Sequence, residues 1–251
     1  KTALLGAAAQ LGIFATLFGV ALMNLIPGID YNMMQACAIS IIGGADGPTS
    51  IYVSGKLAPE MIAVIAVAAY SYMALVPMIQ PPLMKLLTTK KERKIRMKYE
   101  GKAVSKTTRI LFPIVVSVIA GVVSPQSAVL IGFLMFGNLI RECGVLDSLS
   151  ETAQKVLANL VTILLGITVA RNMNADAFLT WETALILGLG LVAFIFDTAG
   201  GVLFAKFLNL FLPEGKKFNP MIGAAGISAF PMSSRVVHKL GLEADNQNFL
   251  L

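Results

Sequence analysis

Asn219, Gly223 and Ser228 lie four and five residues apart in the apolar stretch NPMIGAAGISAFPMSSR. On an unbroken helix of 3.6 residues per turn, Gly223 would stand nearly above Asn219 and Ser228 about half a turn away. The three converge only if the helix breaks between them, and Gly226 is the residue that permits a break. In an apolar setting such a break frees carbonyl oxygens that protein, water or a cation must satisfy. A second stretch, IIGGADGPTS, poses the same problem and adds a carboxylate, Asp46. At the centre of a bilayer that carboxylate costs about 2.5 to 3.5 kcal/mol or more, and a monovalent cation would neutralise it. Amide, hydroxyl, carbonyl and carboxylate oxygens are the donors that hard cations prefer. One histidine, His238, and two cysteines, Cys37 and Cys143, give neither a transition-metal cluster nor a disulfide framework.

The elements that hold these residues are apolar helices. The chain has 251 residues, of which 56% are hydrophobic and 14% charged, against about 25% charged in soluble domains. This composition predicts an all-α polytopic membrane protein. Full spans are expected over residues 3–26 and 61–79, the latter stopped by Pro81 and Pro82. After them come apolar runs over 110–123, 129–140, 156–170 and 183–196, then a short one over 201–212. Residues 148–155 read as interfacial. Residues 33–44 and 49–57 are too short to cross and flank the Asp46 break, which predicts a re-entrant hairpin over 33–57. Residues 219–235 form the second broken helix.

The two breaks resemble each other. Ile42-Gly43-Gly44-Ala45 matches Ile222-Gly223-Ala224-Ala225, and Pro48 has a counterpart in Pro231. Interrupted segments in corresponding positions of two halves point to an ion or substrate site in an inverted-repeat transporter. The expected organisation is a first membrane section over 1–84, a basic loop over 85–109, and a second membrane section over 110–251.

Charge supports that division. Ten of the twenty Lys and Arg residues, but two of the fourteen Asp and Glu, lie between Lys85 and Arg109. The whole positive excess therefore sits in one loop, which the positive-inside rule places in the cytoplasm. Few aromatics accompany the run, so nucleic-acid binding is set aside. Docking of a soluble partner or anionic lipid is a second use.

Each candidate has a duller role. Asn219 before Pro220 suits a helix N-cap, and Ser228 could bond back along its own helix. On sequence alone Tyr70 and Tyr72, in AAYSYMA, are equally good candidates for a buried polar role. Arg235 and His238 suit an interface, and Asp197, followed by Thr-Ala-Gly-Gly, suits an N-cap. No role is assigned to Arg171.

Several longer motifs, among them IIGGADGPTSIYVSGKLAP, AVAAYSYMALVPMIQPP, TTKKERKIRM, LMFGNLIRECGV and NPMIGAAGISAFPMSSR, bring a family into view. The chain resembles, from end to end, the β subunit of the sodium-pumping biotin-dependent decarboxylases. These act on oxaloacetate, methylmalonyl-CoA, glutaconyl-CoA or malonate. It is similar to that subunit without its first helices and final segment.

The resemblance implies decarboxylation of carboxybiotin, with uptake of a proton, coupled to Na+ export across the bacterial cytoplasmic membrane. Carboxybiotin is presented by a biotin carrier subunit, loaded by a carboxyltransferase subunit, alongside a small membrane subunit in an oligomeric complex. The family's essential aspartate falls on Asp46 and its tyrosine on Tyr72. Its Na+-site residues fall on Asn219, Gly223 and Ser228, and its arginine near carboxybiotin on Arg235. Asp46, Tyr72, Ser228 and Arg235 are thereby the catalytic candidates. Asp46, Asn219, Gly223 and Ser228 are the Na+ candidates.

Two other classes fit the breaks without the resemblance. A Na+-coupled carboxylate symporter would work without biotin. A non-catalytic anchor would tolerate changes at Asp46, Asn219 and Ser228.

Overall fold

The computed structural model describes residues 2–97, 104–171, 180–213 and 217–250. These residues are helical, with no strand among them. Four stretches are long and apolar enough to cross a membrane: Leu4–Met23, Pro59–Leu87, Lys106–Val123 and Trp181–Leu210. Lys98, Glu100 and Lys102 of the basic stretch lie outside the described residues. The chain forms two compact units, one from residues 1–98 with 171–251, the other from residues 99–170.

The first unit begins with α1 (Thr2–Ala8) and α2 (Leu11–Met23), separated at Ala9 and Gln10. The span expected over residues 3–26 is present as the apolar stretch Leu4–Met23, with a turn at Ala9 and Gln10 inside it. Gly12, Thr16 and Val20 recur every fourth residue and form the buried stripe of α2, while Phe14, Phe18 and Leu22 face outward. A small-residue stripe of this kind lets helix backbones approach where lipid removes the hydrophobic drive for association.

Next come α3 (Met33–Ser40), a 3₁₀ turn over Ile41–Gly44, and α4 (Gly47–Leu57). α3 starts on a reciprocal cap in which Asn32 accepts from the Gln35 amide and the Gln35 side chain accepts from the Asn32 amide.

Helix α5 (Ile62–Leu87) continues through Pro77, Pro81 and Pro82, so the expected stop at Pro81-Pro82 does not occur. Each proline lacks an N–H, leaving the carbonyls of Met73, Pro77 and Met78 without their intrahelical donors. Packing sustains the helix beyond them: Ile65, Ala69, Tyr72, Val76 and Gln80 form one buried face. A short helix α6 (Lys90–Arg93) follows.

In the second unit, α7 (Lys106–Val123) and α8 (Ala128–Cys143) form a hairpin joined through Ser124 and a 3₁₀ turn at Pro125–Ser127. Arg109 and Glu142 pair across it at 3.3 Å. α9 (Asp147–Thr152) runs through a π-helical turn, Ala153–Leu157, into α10 (Ala158–Arg171).

The first unit resumes with α11 (Trp181–Leu210), thirty residues without interruption. The separate runs read over 183–196 and 201–212 are one helix, and Asp197 lies inside it. A 3₁₀ segment, Pro220–Gly226, and α12 (Phe230–Ala244) complete the unit.

Candidate functional site

Both interrupted stretches use the same device. In the first, the chain tightens into the 3₁₀ turn and reverses at Ala45, whose φ of 50° makes it the one non-glycine residue in the left-handed region among those described. For an L-residue that conformation costs roughly 1 to 2 kcal/mol. Asp46 is then extended and caps α4: Oδ1 accepts the Thr49 amide at 3.3 Å and Oδ2 the Thr49 hydroxyl at 2.7 Å. Pro48 sits in the first turn of α4, where its missing N–H costs nothing.

In the second stretch the 3₁₀ segment ends at Gly226, Ile227 is extended, and α12 opens with Pro231 in its first turn. The aligned tetrapeptides Ile42–Ala45 and Ile222–Ala225 thus occupy corresponding places before each kink.

The two stretches meet. The Ala229 amide donates to the Gly44 carbonyl at 3.2 Å. A Cβ on Gly44 would lie 3.1 Å from the Ser228 hydroxyl. Gln10, at the gap between α1 and α2, donates from Nε2 to Ser228 Oγ at 3.4 Å and to the Gly226 carbonyl at 3.5 Å. Three helix breaks therefore converge on one junction, with the half-buried Asp46 two residues beyond Gly44.

Not every candidate points there. Seven 3₁₀ residues at about 2 Å each put Asn219 roughly 14 Å from Gly226 along the segment axis. Asn219 is fully buried, with Oδ1 accepting from the Met221 amide at 3.1 Å. Its Nδ2 donates to the carbonyls of Arg93 at 2.9 Å and Ile95 at 3.1 Å, fastening the basic stretch to the segment. Gly223 presses against Gly201 of α11, where a Cβ on either would strike the other's carbonyl.

The Tyr72 hydroxyl donates to the Leu187 carbonyl, and its ring edge faces Gly190. The tyrosine beside Asp46 is Tyr70: a Cβ on the adjacent Gly47 would lie 2.5 Å from Tyr70 Cζ. Arg235 is exposed on α12, opposite the buried face of Ser233, Val236, Val237 and Leu240.

Sequence reasoning overlooked a buried polar cluster. Gln80, Thr198 and Ser233 are fully buried. The Gln80 amide donates to Thr198 Oγ1 and to the Ala224 carbonyl, both at 3.3 Å. Ser233 Oγ lies 2.7 Å from Gln80 Oε1 and 2.8 Å from the same carbonyl. The cluster ties α5, α11, α12 and the second 3₁₀ segment together. A glutamine between Ile79 and Pro81 in an apolar run was the signal available.

Asp197, beside Thr198, does cap a helix, but a different one: Oδ1 accepts the Gly12 amide at the start of α2. Among the described residues no group of three or more His, Cys, Asp or Glu side chains could hold a metal. The junction instead offers hydroxyl and main-chain oxygens, with the Asp46 carboxylate close by in sequence on the cap of α4, the donor types that hard cations prefer.

The family model for the Na+-transporting oxaloacetate decarboxylase beta subunit matches residues 1–251. The chain belongs to this family. It is 57% identical to the oxaloacetate decarboxylase beta chain of Klebsiella pneumoniae, with all of this chain aligned to 57% of that protein. It is 53% identical to the methylmalonyl-CoA decarboxylase subunit beta of Propionigenium modestum, covering 62% of it. With the glutaconyl-CoA decarboxylase subunit beta of Acidaminococcus fermentans the identity is 52%, over 64% of that protein. In each case the alignment takes in the whole of this chain, which spans under two thirds of each relative's length. As a family member with four apolar stretches of spanning length among its described residues, it is a membrane protein.

Proposed function

We propose that this chain is the membrane portion of a biotin-dependent decarboxylase, releasing CO2 from carboxybiotin and exporting Na+. The meeting of the two broken segments at Gly44 and Ala229, with Asp46 alongside, is the observation that carries the reading. Cleavage of the N–C bond in carboxybiotin leaves CO2 and a biotin nitrogen that takes up one proton. The cofactor supplies that reactivity, and the protein binds it, excludes water and delivers the proton.

In this reading Asp46 is the charged Na+ ligand and Ser228 a hydroxyl ligand at the same junction. Asn219 and Gly223 hold the second segment in register with the basic stretch and with α11. Tyr70 and Tyr72 are the phenols through which a proton reaches the site, and Arg235 pairs with the carboxylate of carboxybiotin. Na+ and the proton then compete for one negative charge, so arrival of the proton releases the ion. Moving one charge against 100 mV takes about 2.3 kcal/mol, the minimum that decarboxylation must supply per ion.

The basic stretch faces the cytoplasm of a bacterial cell in this proposal and receives a biotin carrier charged by a carboxyltransferase subunit, with a small membrane subunit in the same oligomeric complex. Lys85, Lys90, Arg93 and Lys94, with Glu243 as the one acidic residue, line a cavity of about 310 Å³ whose charge is net positive.

The test is radiolabelled Na+ uptake by the complete complex in proteoliposomes. Avidin should abolish uptake, and Asp46→Asn should abolish both uptake and Na+-dependent CO2 release. Wild-type pumping by Asp46→Asn would refute the assignment. Avidin-insensitive uptake together with a carboxylate would identify a symporter instead.

A further inference from the structure

Asp197 is the seventeenth of the thirty residues of α11 and is wholly removed from solvent. One carboxylate oxygen, Oδ1, receives the Gly12 amide. That bond accounts for the gap between α1 and α2, because a helix starts where its first amides find an acceptor. The other oxygen, Oδ2, is buried with no hydrogen-bond partner among the described residues. It faces the first broken segment: a Cβ on Gly43 would lie 3.1 Å from Oδ2 and 3.0 Å from the Ala193 side chain. Gly43 therefore packs directly against this carboxylate oxygen, too closely for a side chain, with the Ile13 amide nitrogen 3.3 Å from the same point.

Among the described residues no countercharge pairs with it. Helices α1, α2 and α3 and both 3₁₀ segments, all packed against α11, carry no Lys, Arg or His. Their one titratable side chain is Cys37 of α3. From α5 the ionisable groups are Tyr70, Tyr72 and Lys85; Tyr72 is bound to the Leu187 carbonyl, and Lys85 pairs with Glu243 at 3.3 Å. On α11 itself Lys206 stands roughly 14 Å farther along the axis and pairs with Glu92 at 3.2 Å. Glu182 lies in the first turn, and Asp46 caps α4 beyond Gly43. An isolated buried carboxylate is not sustained without a partner: it is either protonated or bound to a cation.

We propose that Asp197 is a second cation site, in which Oδ2 and nearby main-chain oxygens at the breaks hold one Na+ and a proton replaces the ion when it leaves. A single carboxylate surrounded by neutral oxygens balances a monovalent charge, whereas divalent sites gather several carboxylates. The function proposed above enters only in naming Na+ as the cation; the site itself does not depend on carboxybiotin.

Infrared difference spectroscopy on the complete complex, exchanging K+ for Na+ without substrate, reads the site directly. Sodium should remove a carboxylic-acid band and add a carboxylate band. Asp46, by the function proposed above, contributes such a pair as well, so one pair should persist in Asp46→Asn and vanish when Asp197→Asn is added to it. Gly43→Ala, which keeps the carboxylate but presses a methyl group against it, should raise the Na+ concentration for half of the change roughly tenfold or more. Should Asp197→Asn fail to assemble, Gly43→Ala in the Asp46→Asn background still identifies the band. Loss of both bands in Asp46→Asn, or an unchanged Na+ response in Gly43→Ala, overturns the proposal. Wild-type complex without biotin-dependent turnover would defeat the proposed function and leave these spectra to decide Asp197 independently.

Discussion

Gly201 of α11 and Gly223 of the second 3₁₀ segment touch backbone to backbone, each occupying the space where the other's side chain would begin. This contact seats the second break against the helix that also carries Asp197 and Thr198. A methyl group at either position must displace main-chain atoms, and such overpacking costs about 1 to 3 kcal/mol. Gly201→Ala and Gly223→Ala should each lower the melting temperature of the purified complex and depress Na+ uptake. Gly188→Ala is the control on the same helix, because a Cβ there meets nothing within 4 Å. It should be neutral, or stabilising by up to about 1 kcal/mol through helix propensity.

The buried polar cluster gives a prediction about coupling rather than size. Ser233→Ala leaves Gln80 Oε1 without its 2.7 Å partner in a site closed to water, a loss of about 1 to 3 kcal/mol. Gln80→Leu removes the donor to Thr198 and leaves Ser233 with the Ala224 carbonyl alone. The double variant should lose less than the sum of the two, with a coupling of about 0.5 to 3 kcal/mol in urea or thermal unfolding. Strict additivity would mean that the three side chains do not act as one network.

Tyr70 and Tyr72, indistinguishable in the sequence, separate in the structure. Tyr72→Phe removes the donor to the Leu187 carbonyl and should reduce stability by about 1 kcal/mol. Tyr70→Phe disturbs no hydrogen bond to α11, yet its ring lies on Gly47, next to Asp46. It should leave the melting temperature nearly unchanged and shift the Na+ concentration needed for half-maximal CO2 release. The opposite pattern would reverse the two assignments.

These contrasts show where a sequence speaks and where it is silent. The breaks at Gly43–Pro48 and at Gly226 were legible because glycine, proline and sub-length apolar runs act locally. So was the likeness between the two stretches, which survives as a shared order of 3₁₀ turn, kink and proline-started helix. The gap at Ala9-Gln10 was not legible, because its cause is Asp197, 185 residues beyond the Gly12 amide that it receives. The continuity of α11 escaped for the same reason: its carboxylate caps the start of another helix and spares its own. Pro81 and Pro82 failed as stops because burial of Gln80 and Met84 holds the helix beyond them. Asn219, read as converging with Ser228, caps its segment from the far end and is spent on Arg93 and Ile95.

Those carbonyls of Arg93 and Ile95 lead to the last prediction, at the polar end of the first unit. Arg96 donates to Asp245 through Nε at 2.6 Å and Nη2 at 3.0 Å, and to Gln247 through Nη1 at 2.9 Å. The Arg96 hydrogen bonds hold the Asp245 carboxyl below the usual carboxylate range. A depressed folded-state pKa adds stability that is complete above the unfolded value, about 3.9. That stability drains away as pH falls from there through the lower folded value. Arg96 is exposed and Asp245 half-buried at the surface, so the effect is local and screened by salt. Amide exchange across residues 93–97 should accelerate below about pH 4 in wild-type complex at low ionic strength. Arg96→Ala should exchange quickly at neutral pH too and lose that acid step. An acid step that survives in Arg96→Ala would place the responsible carboxylate elsewhere.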